Sequence, residues 1–319
     1  MRSVVTLPST PRFGVYLPQV GFSFEEILAR ARRCEELGIE SLWLMDHLYP
    51  PELPGVASFE GWTLATALLA HTERLRVGHL VLSATFRTPA LLGKMATTLD
   101  VVSGGRLELG LGSGSYAREH ERAGIPFGDA RTRARQLEES LEVVSAMFGR
   151  VASERPVPPN LPLPAQPKGP PIHVGGAGER LILPLVARFA DVWNCPTYAL
   201  ASLGEKRAVL DRACRAVGRD PAAIATSLEA VLVLVEREDE VEAARALAER
   251  RFGGPGWGLR EGAFVGTPEA IVLRIEHFRR LGVGLFVFFL HDRGEERTLR
   301  LLAERLIPAA TAAAAREGR

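Results

Sequence analysis

The stretch from Leu75 to Glu119 reads LRVGHLVLSATFRTPALLGKMATTLDVVSGGRLELGLGSGSYARE. It opens with an apolar run at Leu75–Leu82, continues with helical periodicity at Ala90–Val102, and closes with a second apolar run at Arg106–Leu111. Short apolar runs bounded by glycines indicate strands that are covered on both faces. The pattern predicts a βαβ unit with two parallel strands, the repeating unit of an α/β protein.

Strand-like and helix-like segments continue to alternate in both directions from this unit. Eight strands alternating with helices favour a (β/α)8 TIM barrel with insertions in the βα loops, and a doubly wound open sheet is the alternative. A length of 319 residues suits one such domain spanning residues 1–319. The six further predicted strands are Arg12–Pro18, Glu40–Met45, Pro171–Val174, Asp191–Cys195, Ser227–Val235 and Leu285–Leu290.

A proline-rich segment interrupts the alternation at residues 151–171. It holds eight prolines in 21 residues, which excludes regular helix or strand. The segment is either a linker between domains or an insertion that crosses one mouth of the barrel. Because strands and helices resume directly after it, the second interpretation is favoured, and the segment is expected to contribute to the lining of the mouth.

Composition excludes several classes of function. The net charge is +1, so neither nucleic acid nor an anionic membrane surface is an expected partner. The three cysteines have no CxxC spacing, which is typical of buried thiols in a reducing compartment. We find no signal peptide and no apolar run long enough to span a membrane, so the expected location is the cytoplasm.

Polar residues at the ends of the predicted strands are the candidate site residues, since active sites of these barrels lie at the carboxyl ends of the strands. Asp46 and His47 end the second strand, where an imidazole can contact a cofactor ring or move a proton, with Asp46 orienting it or capping the loop. A purely structural hydrogen-bonded pair is the alternative. Ser83 and Thr85 end the third strand and are expected to donate hydrogen bonds to a flat ring, unless this is an ordinary turn.

Two glycine-rich loops follow later strands. The loop after the fourth strand includes Gly112 and Ser113, and it does not fit a dinucleotide-binding fingerprint, although its glycines permit close approach of a ligand. The segment from Gly175 to Arg180 lies between a strand and a helix. It predicts either a phosphate site, formed by free amides at a helix start, or a tight turn. Histidine spacing does not suggest a metal site.

Taken together, these segments resemble the bacterial-luciferase-like flavin-dependent oxidoreductases, in particular the branch that uses the deazaflavin coenzyme F420. The residues that carry the resemblance are RFGVYLPQ, ESLWLMDHLYP, EGWTLATALLAHTERLRVG, FRTPALLGKMATTLDVVSGGRLELGLGSG, EHERAGIPF, PPIHVGGAGERLILPLVARFADVWN and VGTPEAIVLRIEHFRRLGV. They span nearly the whole chain in the family's order.

The resemblance implies a (β/α)8 barrel, usually a homodimer, with a reductase partner as source of reduced cofactor. It places a non-prolyl cis peptide between Leu80 and Val81, behind the cofactor ring. His47 and Asp46 match positions beside that ring, and Ser83 matches a residue that hydrogen-bonds it. The loop that holds the cofactor phosphate in the family matches five residues here: Gly175, Gly176, Ala177, Gly178 and Arg180.

The chain also departs from the family. Where the sugar-phosphate dehydrogenases of this family carry an acidic proton donor, this sequence has Ser115, which makes glucose-6-phosphate an unexpected substrate. The resulting hypothesis is hydride transfer between F420 and a small organic substrate, with His47 as the acid and Glu60, Glu119 or His120 as helpers. An FMN-dependent monooxygenase is the alternative, and a catalytically silent flavin-binding relative is a third interpretation.

Overall fold

The apolar runs form a closed barrel of parallel strands. A computed structural model describes residues 10–51, 53–254 and 259–317. The hydrogen-bonded strand order runs β10, β1, β2, β3, β5, β6, β7, β8 and returns to β10, while β4 pairs with β5 and β9 with the end of β8. The predicted (β/α)8 barrel is confirmed, and the open sheet is excluded. The strands are β1 (Arg12–Tyr16), β2 (Ser41–Leu44), β3 (Arg76–His79), β4 (Leu82–Ser83), β5 (Leu107–Gly112), β6 (Ile172–Gly175), β7 (Val192–Cys195), β8 (Ala225–Leu234), β9 (Phe264–Gly266) and β10 (Val283–Leu290).

Helices surround this barrel. The first helix begins with a capping box, because Ser23 accepts a hydrogen bond from the amide of Glu26, whose carboxylate accepts one from the Ser23 amide. The last helical segment contains a π-helical stretch, Leu302–Leu306. The α-helices among the described residues are α1 (Phe24–Glu36), α2 (Gly61–Ala70), α3 (Pro89–Val102), α4 (Ala117–Ala123), α5 (Ala130–Met147), α6 (Leu183–Phe189), α7 (Leu203–Ala216), α8 (Val241–Phe252), α9 (Leu259–Gly262), α10 (Pro268–Arg280), α11 (Glu296–Leu301) and α12 (Ile307–Glu317). Within the described ranges, no helix is both long and apolar enough to cross a membrane.

Alternation along each strand divides the side chains between two layers. Outward residues such as Leu42 and Phe286 pack against the helices, whereas inward residues such as Trp43 and Val287 fill the barrel. Helix α8 joins the inner cluster through Phe252, which lies beside Phe289 of β10 with ring centroids 6.2 Å apart. Apolar residues of α8 therefore pack against the inward side chains of β8 and β10.

The amino-terminal half of the barrel interior contains an ion network around Glu108 of β5. One carboxylate oxygen is 2.5 Å from Nε of Arg76 and 3.6 Å from a guanidinium nitrogen of Arg12, and the other is 2.7 Å from Nε2 of His173. Burial alone would raise the pKa of Glu108, but the hydrogen bond and charge of His173, with the two arginines, lower it to about 2. This network therefore favours an ionised carboxylate inside the barrel.

The proline-rich segment 151–171 lies at the opposite face of the barrel from the strand ends. It connects α5 to β6, and its Gln166 donates to Asp100 at the end of α3 and to the carbonyl of Leu107 at the start of β5. Because both attachment points lie at the amino-terminal face, the expectation that this segment lines the mouth is wrong. The insertions that reach the carboxyl-terminal face follow β2, β5 and β8, as expected of insertions in βα loops.

Candidate functional site

A cavity of about 340 Å³ opens among the carboxyl ends of the strands. Seven of the eight barrel strands contribute to it directly or through the loop that follows, which is why residues far apart in sequence meet here. The lining residues are Tyr16, Met45, Asp46, His47, Leu80, Val81, Ser83, Phe86, Gly112, Ser113, Gly114, Ser115, Tyr116, Glu119, His120, Gly175, Gly176, Asn194, Pro196, Tyr198 and Glu229.

The segment between β3 and β4 forms one wall of this cavity. The peptide bond between Leu80 and Val81 is cis, as the family resemblance implied. Two neighbouring strands make room for Val81 by ending in glycine: a Cβ added at Gly175 would meet a methyl group of Val81 at 2.9 Å, and one at Gly112 would overlap the other. This wall therefore consists of backbone atoms and the Val81 side chain, and the neighbouring positions Gly112 and Gly175 add no side chain to it.

Asp46 is held by two partners and does not act as a free acid. Its carboxylate accepts two hydrogen bonds of 2.8 Å from the guanidinium of Arg87 and one of 2.8 Å from the amide of Ser83. Arg87 also donates to Glu60, which caps α2 by accepting from the amides of Trp62 and Thr63. Asp46 thus ties the end of β2 to β4 and positions Ser83. This is the loop-capping role that the sequence left open, and it differs from a catalytic role.

His47 pairs with Glu119 of α4. Its Nδ1 lies 2.9 Å from Oε2 of Glu119, and the Glu119 side chain is 1% exposed. The other carboxylate oxygen accepts from the amides of Leu48 and Tyr49, so the carboxylate cannot rotate away. Because a carboxylate only accepts, Nδ1 of the ring carries the hydrogen. The remaining nitrogen, Nε2, is the one available to a ligand in the cavity.

A chain of hydroxyl groups links Ser83 to His120. Thr85 Oγ1 is 2.6 Å from Ser83 Oγ and 2.5 Å from His120 Nε2, while His120 Nδ1 donates to the carbonyl of Tyr116. In a neutral His120 ring, Nε2 accepts from Thr85, so Thr85 in turn accepts from Ser83. In that arrangement Ser83 offers an acceptor to the cavity, and a hydrogen bond between Ser83 and a bound ring stays a prediction.

The loop after β6 differs from the predicted helix start. Helix α6 begins only at Leu183, and the amides of Ile182 and Leu183 donate to the carbonyl of Gly178. Trp193 fixes the loop by donating through Nε1 to the carbonyl of Gly176. Gly175 and Gly176 line the cavity, whereas Ala177, Gly178 and Arg180 follow them outside it. Binding of a phosphate here stays a prediction, and it now rests on the loop rather than on a helix terminus.

Two titratable residues in the cavity were missed by sequence reasoning. Tyr16 ends β1, and Glu229 faces inward from the middle of β8. Burial raises the pKa of Glu229 to about 8, and no described residue supplies a hydrogen bond or an opposite charge to its carboxylate. Burial also raises the pKa of Tyr16, with the charges of Glu229 and Asp46 adding to the effect. The available signal was a single charge inside the apolar run SLEAVLVLV.

Most of the predicted site residues meet in this one cavity: Asp46, His47, Leu80, Val81, Ser83, Gly112, Ser113, Gly175 and Gly176. Of the three proposed helpers, Glu119 and His120 line it, whereas Glu60 lies behind Arg87. The three cysteines are buried and unpaired. Among the residues described, no group of three or more His, Cys, Asp and Glu side chains is arranged to hold a metal ion.

Comparison with known proteins agrees with this arrangement. A family model described as "Luciferase-like monooxygenase" matches residues 1–256. An F420-dependent glucose-6-phosphate dehydrogenase of Amycolatopsis mediterranei (strain U-32) is 32% identical over 130 residues, which are 40% of this chain and 38% of that protein. The match therefore spans about two fifths of that relative.

Two further similarities extend over more of the chain. A phthiodiolone/phenolphthiodiolone dimycocerosates ketoreductase of Mycobacterium bovis (strain BCG / Pasteur 1173P2) is 30% identical over 240 residues, which are 65% of this chain and 61% of that protein. The solved structure of an F420-dependent secondary alcohol dehydrogenase in complex with an F420-acetone adduct superposes with a TM-score of 0.75. It covers 94% of this chain and 99% of that chain at 19% identity, which supports the fold alone.

Proposed function

Since the chain belongs to the luciferase-like monooxygenase family, we propose that it is a coenzyme F420-dependent oxidoreductase. It transfers a hydride between the deazaflavin C5 and a small organic substrate. The observation that carries this proposal is the cavity at the strand ends, walled by Leu80 and Val81 and by glycines on both neighbouring strands. The F420-dependent relatives favour this cofactor over FMN.

The residues of the cavity fit a flat heterocycle. The glycine positions of β5 and β6 leave no side chain between Val81 and the cavity, so a planar ring can rest against this wall. Ser83 offers a hydrogen-bond acceptor, which suits the ring N–H at the pyrimidine edge of flavins and deazaflavins. When bound, F420 supplies a two-electron hydride carrier that the protein's own side chains lack.

The protein's contribution to the reaction is orientation and a proton. His47, held at Nδ1 by Glu119, can take up or release a proton at Nε2 beside the cavity. Glu119 provides the acidic residue that Ser115 cannot, and it does so from α4 rather than directly from the end of β5. Asp46 positions Ser83 through the backbone and is a positioning residue.

An FMN-dependent monooxygenase is the second candidate, because the matching family model is described as a monooxygenase. A deazaflavin has carbon where a flavin has N5, and it reacts poorly with oxygen. Oxygen consumption with reduced FMN therefore separates the two candidates. A homodimer, a separate reductase partner and a cytoplasmic location stay predictions from the sequence.

The first test is titration of the purified protein with F420 and with FMN, followed by ligand fluorescence. We expect saturable binding of F420 and weaker binding of FMN. In Gly112→Ala the added methyl group overlaps Val81, and overpacking of this kind costs about 1–3 kcal/mol, so F420 affinity should fall about tenfold or more. Gly204→Ala is the control, because a Cβ there meets only a Leu281 methyl group at 3.9 Å.

The outcomes discriminate between the candidates. Preference for FMN, with oxygen uptake by the reduced complex, would replace the dehydrogenase with the monooxygenase. Binding of neither ligand would reject both and leave the silent relative. Equal F420 affinity in Gly112→Ala and wild type would show that the cofactor does not use this wall.

A further inference from the structure

The cavity contains a second polar group that the proposed function does not use. It consists of Tyr16 and Glu229, which reach the cavity from β1 and β8, on strands other than those that carry His47 and Ser83. The two strands are separated only by β10, and Glu229 is in register with Val287 of that strand. Neither the Tyr16 hydroxyl nor the Glu229 carboxyl has a hydrogen-bond partner among the described residues.

The surroundings of this pair are apolar. Tyr16 packs on Phe289 with ring centroids 4.2 Å apart, and Phe252 of α8 also lies beside Phe289, with ring centroids 6.2 Å apart. Neighbouring inward residues on β8 and β10 are Val231 and Val287, both fully buried. No described side chain satisfies these two groups, so their hydrogen-bonding capacity is open to a molecule that enters the cavity.

The charge of the cavity lining disfavours an anionic group beside Glu229. Among the described residues that line the cavity there is no lysine or arginine, whereas three carboxyl groups are present. Asp46 is neutralised by Arg87, and Glu119 is paired with His47. A phosphate or carboxylate group beside Glu229 would therefore find no cation and would meet a carboxyl group in an apolar environment.

We propose that Tyr16 and Glu229 form the substrate subsite, where they donate two hydrogen bonds to the carbonyl oxygen of an uncharged substrate. This inference rests on the proposed function and specifies its substrate class. A neutral carboxylic acid and a phenol both carry an O–H donor, and such a pair also stabilises the negative charge that grows on a carbonyl oxygen as hydride arrives at its carbon, before that oxygen takes up the proton supplied by His47. Sugar phosphates are excluded as substrates of this chain.

The protonation state agrees with this geometry. Burial raises the pKa of Glu229 to about 8, so its carboxyl carries a proton at neutral pH. The titratable groups that sense its charge are Tyr16 on β1, Cys195 on β7 and Tyr198 in the turn that follows β7, and β10 presents the apolar Val287. Above about pH 8 the ionised carboxylate would repel a carbonyl oxygen, and binding should weaken.

The test uses cyclohexanone as the uncharged carbonyl probe and glucose 6-phosphate as the anionic one. The infrared carbonyl stretch of cyclohexanone shifts to lower frequency when the oxygen accepts hydrogen bonds, and we expect this shifted band with the wild-type protein at pH 7. It should persist in Glu229→Gln, which keeps a donor, and weaken in Tyr16→Phe and Glu229→Met. Glu238→Gln, on the exposed turn after β8, is the control that should match wild type.

Kinetics provide the second measurement. With reduced F420 as hydride donor, Tyr16→Phe and Glu229→Met should each raise KM for cyclohexanone about tenfold, as expected for loss of a hydrogen bond to a substrate carbonyl. Glucose 6-phosphate should neither compete with cyclohexanone nor reduce F420. All variants should bind F420 as wild type does, which shows that they are folded and that the cofactor site is intact.

The inference is overturned if the shifted band is missing in wild type, if it is unchanged in the Tyr16→Phe/Glu229→Met double variant, or if glucose 6-phosphate displaces cyclohexanone. Failure of wild type to bind F420 would instead remove the proposed function. The infrared measurement needs no cofactor, so the two failures are distinguishable.

Discussion

The barrel interior holds two glutamates whose surroundings are opposite: Glu108 is buried, whereas Glu229 is partly exposed to the cavity. Glu108 in the amino-terminal half is within 4 Å of two arginines and a histidine, which lower its pKa to about 2. Glu229, in the wall of the cavity, has no cation beside it among the residues that the structure describes, and burial raises its pKa to about 8. Both lie on inward faces of strands, so residue type and strand position do not account for the difference. The difference comes from the side chains that neighbouring strands place beside each carboxyl group.

The comparison separates a structural half of the barrel from a functional half. Around Glu108 every charge is used within the protein, and Trp43 packs edge-on against His173 with ring centroids 4.9 Å apart. No described residue forms a hydrogen bond with the Glu229 carboxyl, so this group can form one with a ligand. Groups with perturbed pKa values concentrate at functional sites, so the Glu229 side of the barrel is the candidate for ligand contact.

The largest expected effect comes from disrupting the ion network around Glu108. Glu108→Gln removes the charge that faces Arg12 and Arg76 and leaves two guanidinium groups uncompensated, so the free energy of unfolding should fall by about 3–5 kcal/mol. Urea unfolding at pH 7 measures this. Glu40→Gln removes only the exposed partner of Arg12 and should cost less than about 1 kcal/mol. Equal losses of unfolding free energy in Glu108→Gln and Glu40→Gln would show that the buried network around Glu108 stabilises the barrel no more than an exposed ion pair does.

The second prediction concerns the pH dependence of stability at Glu229. Its folded-state pKa of about 8 lies above the ordinary value of 4.5, so the folded state binds the proton more tightly and wild type loses stability as pH rises from 4.5 to 8. The full shift corresponds to about 5 kcal/mol, and water in the cavity reduces it, so Glu229→Gln should be more stable than wild type by roughly 2 kcal/mol at pH 9.

At pH 4.5 the two proteins should be equally stable in urea unfolding. A stability difference that is the same at both pH values would show that folding leaves the pKa of Glu229 unchanged. The dependence has the opposite sign at Glu108, where the lowered pKa stabilises the folded state above pH 4.5 and this contribution is lost as pH falls toward 2.

The third prediction concerns the pair of His47 and Glu119 in the cavity lining. Glu119 holds Nδ1 of His47, and the other ring nitrogen is available to the ligand. Glu119→Gln keeps the shape but removes the negative charge beside His47, so kcat with F420 should fall about tenfold, equivalent to about 1.4 kcal/mol. The pH profile of kcat should shift as well. Glu121→Gln, exposed on the same helix, should leave both unchanged. An unshifted profile in Glu119→Gln would indicate a structural role only.

The smallest effect is expected in the hydroxyl chain. Thr85→Val removes the acceptor for Ser83 and the donor to His120, so the Ser83 hydroxyl is free to rotate. Loss of one oriented hydrogen bond is worth about 1 kcal/mol, so F420 should bind about fivefold more weakly in a fluorescence titration. Thr88→Val is the control, since that side chain makes no capping hydrogen bond to α3. Tighter F420 binding in Thr85→Val would show that the hydrogen bonds among Ser83, Thr85 and His120 run in the opposite direction to the one proposed.

Sequence reasoning predicted the barrel and the strand ends that build the site. The apolar runs and glycine boundaries located all eight barrel strands, and residues such as His47 and Ser83 were found because they directly follow strands. It missed α4 because AREHERA is short and strongly charged, and it therefore ranked Glu119 only among three helpers. It missed Arg87 because a long side chain can neutralise any of several carboxylates, and only the fold selects Asp46.

The sequence by itself determined the fold class, because the periodicity of apolar residues is a local property that each segment carries alone. It also determined the family, through motifs in a conserved order along nearly the whole chain. Only the tertiary structure decided which charged side chains are paired. The proline-rich segment lies away from the site, Asp46 is tied to Arg87, and Glu229 has no hydrogen-bond or ion-pair partner in the part of the chain that the structure describes. Each of these depends on contacts between residues that are distant in sequence, and the hydrophobic pattern does not encode such contacts.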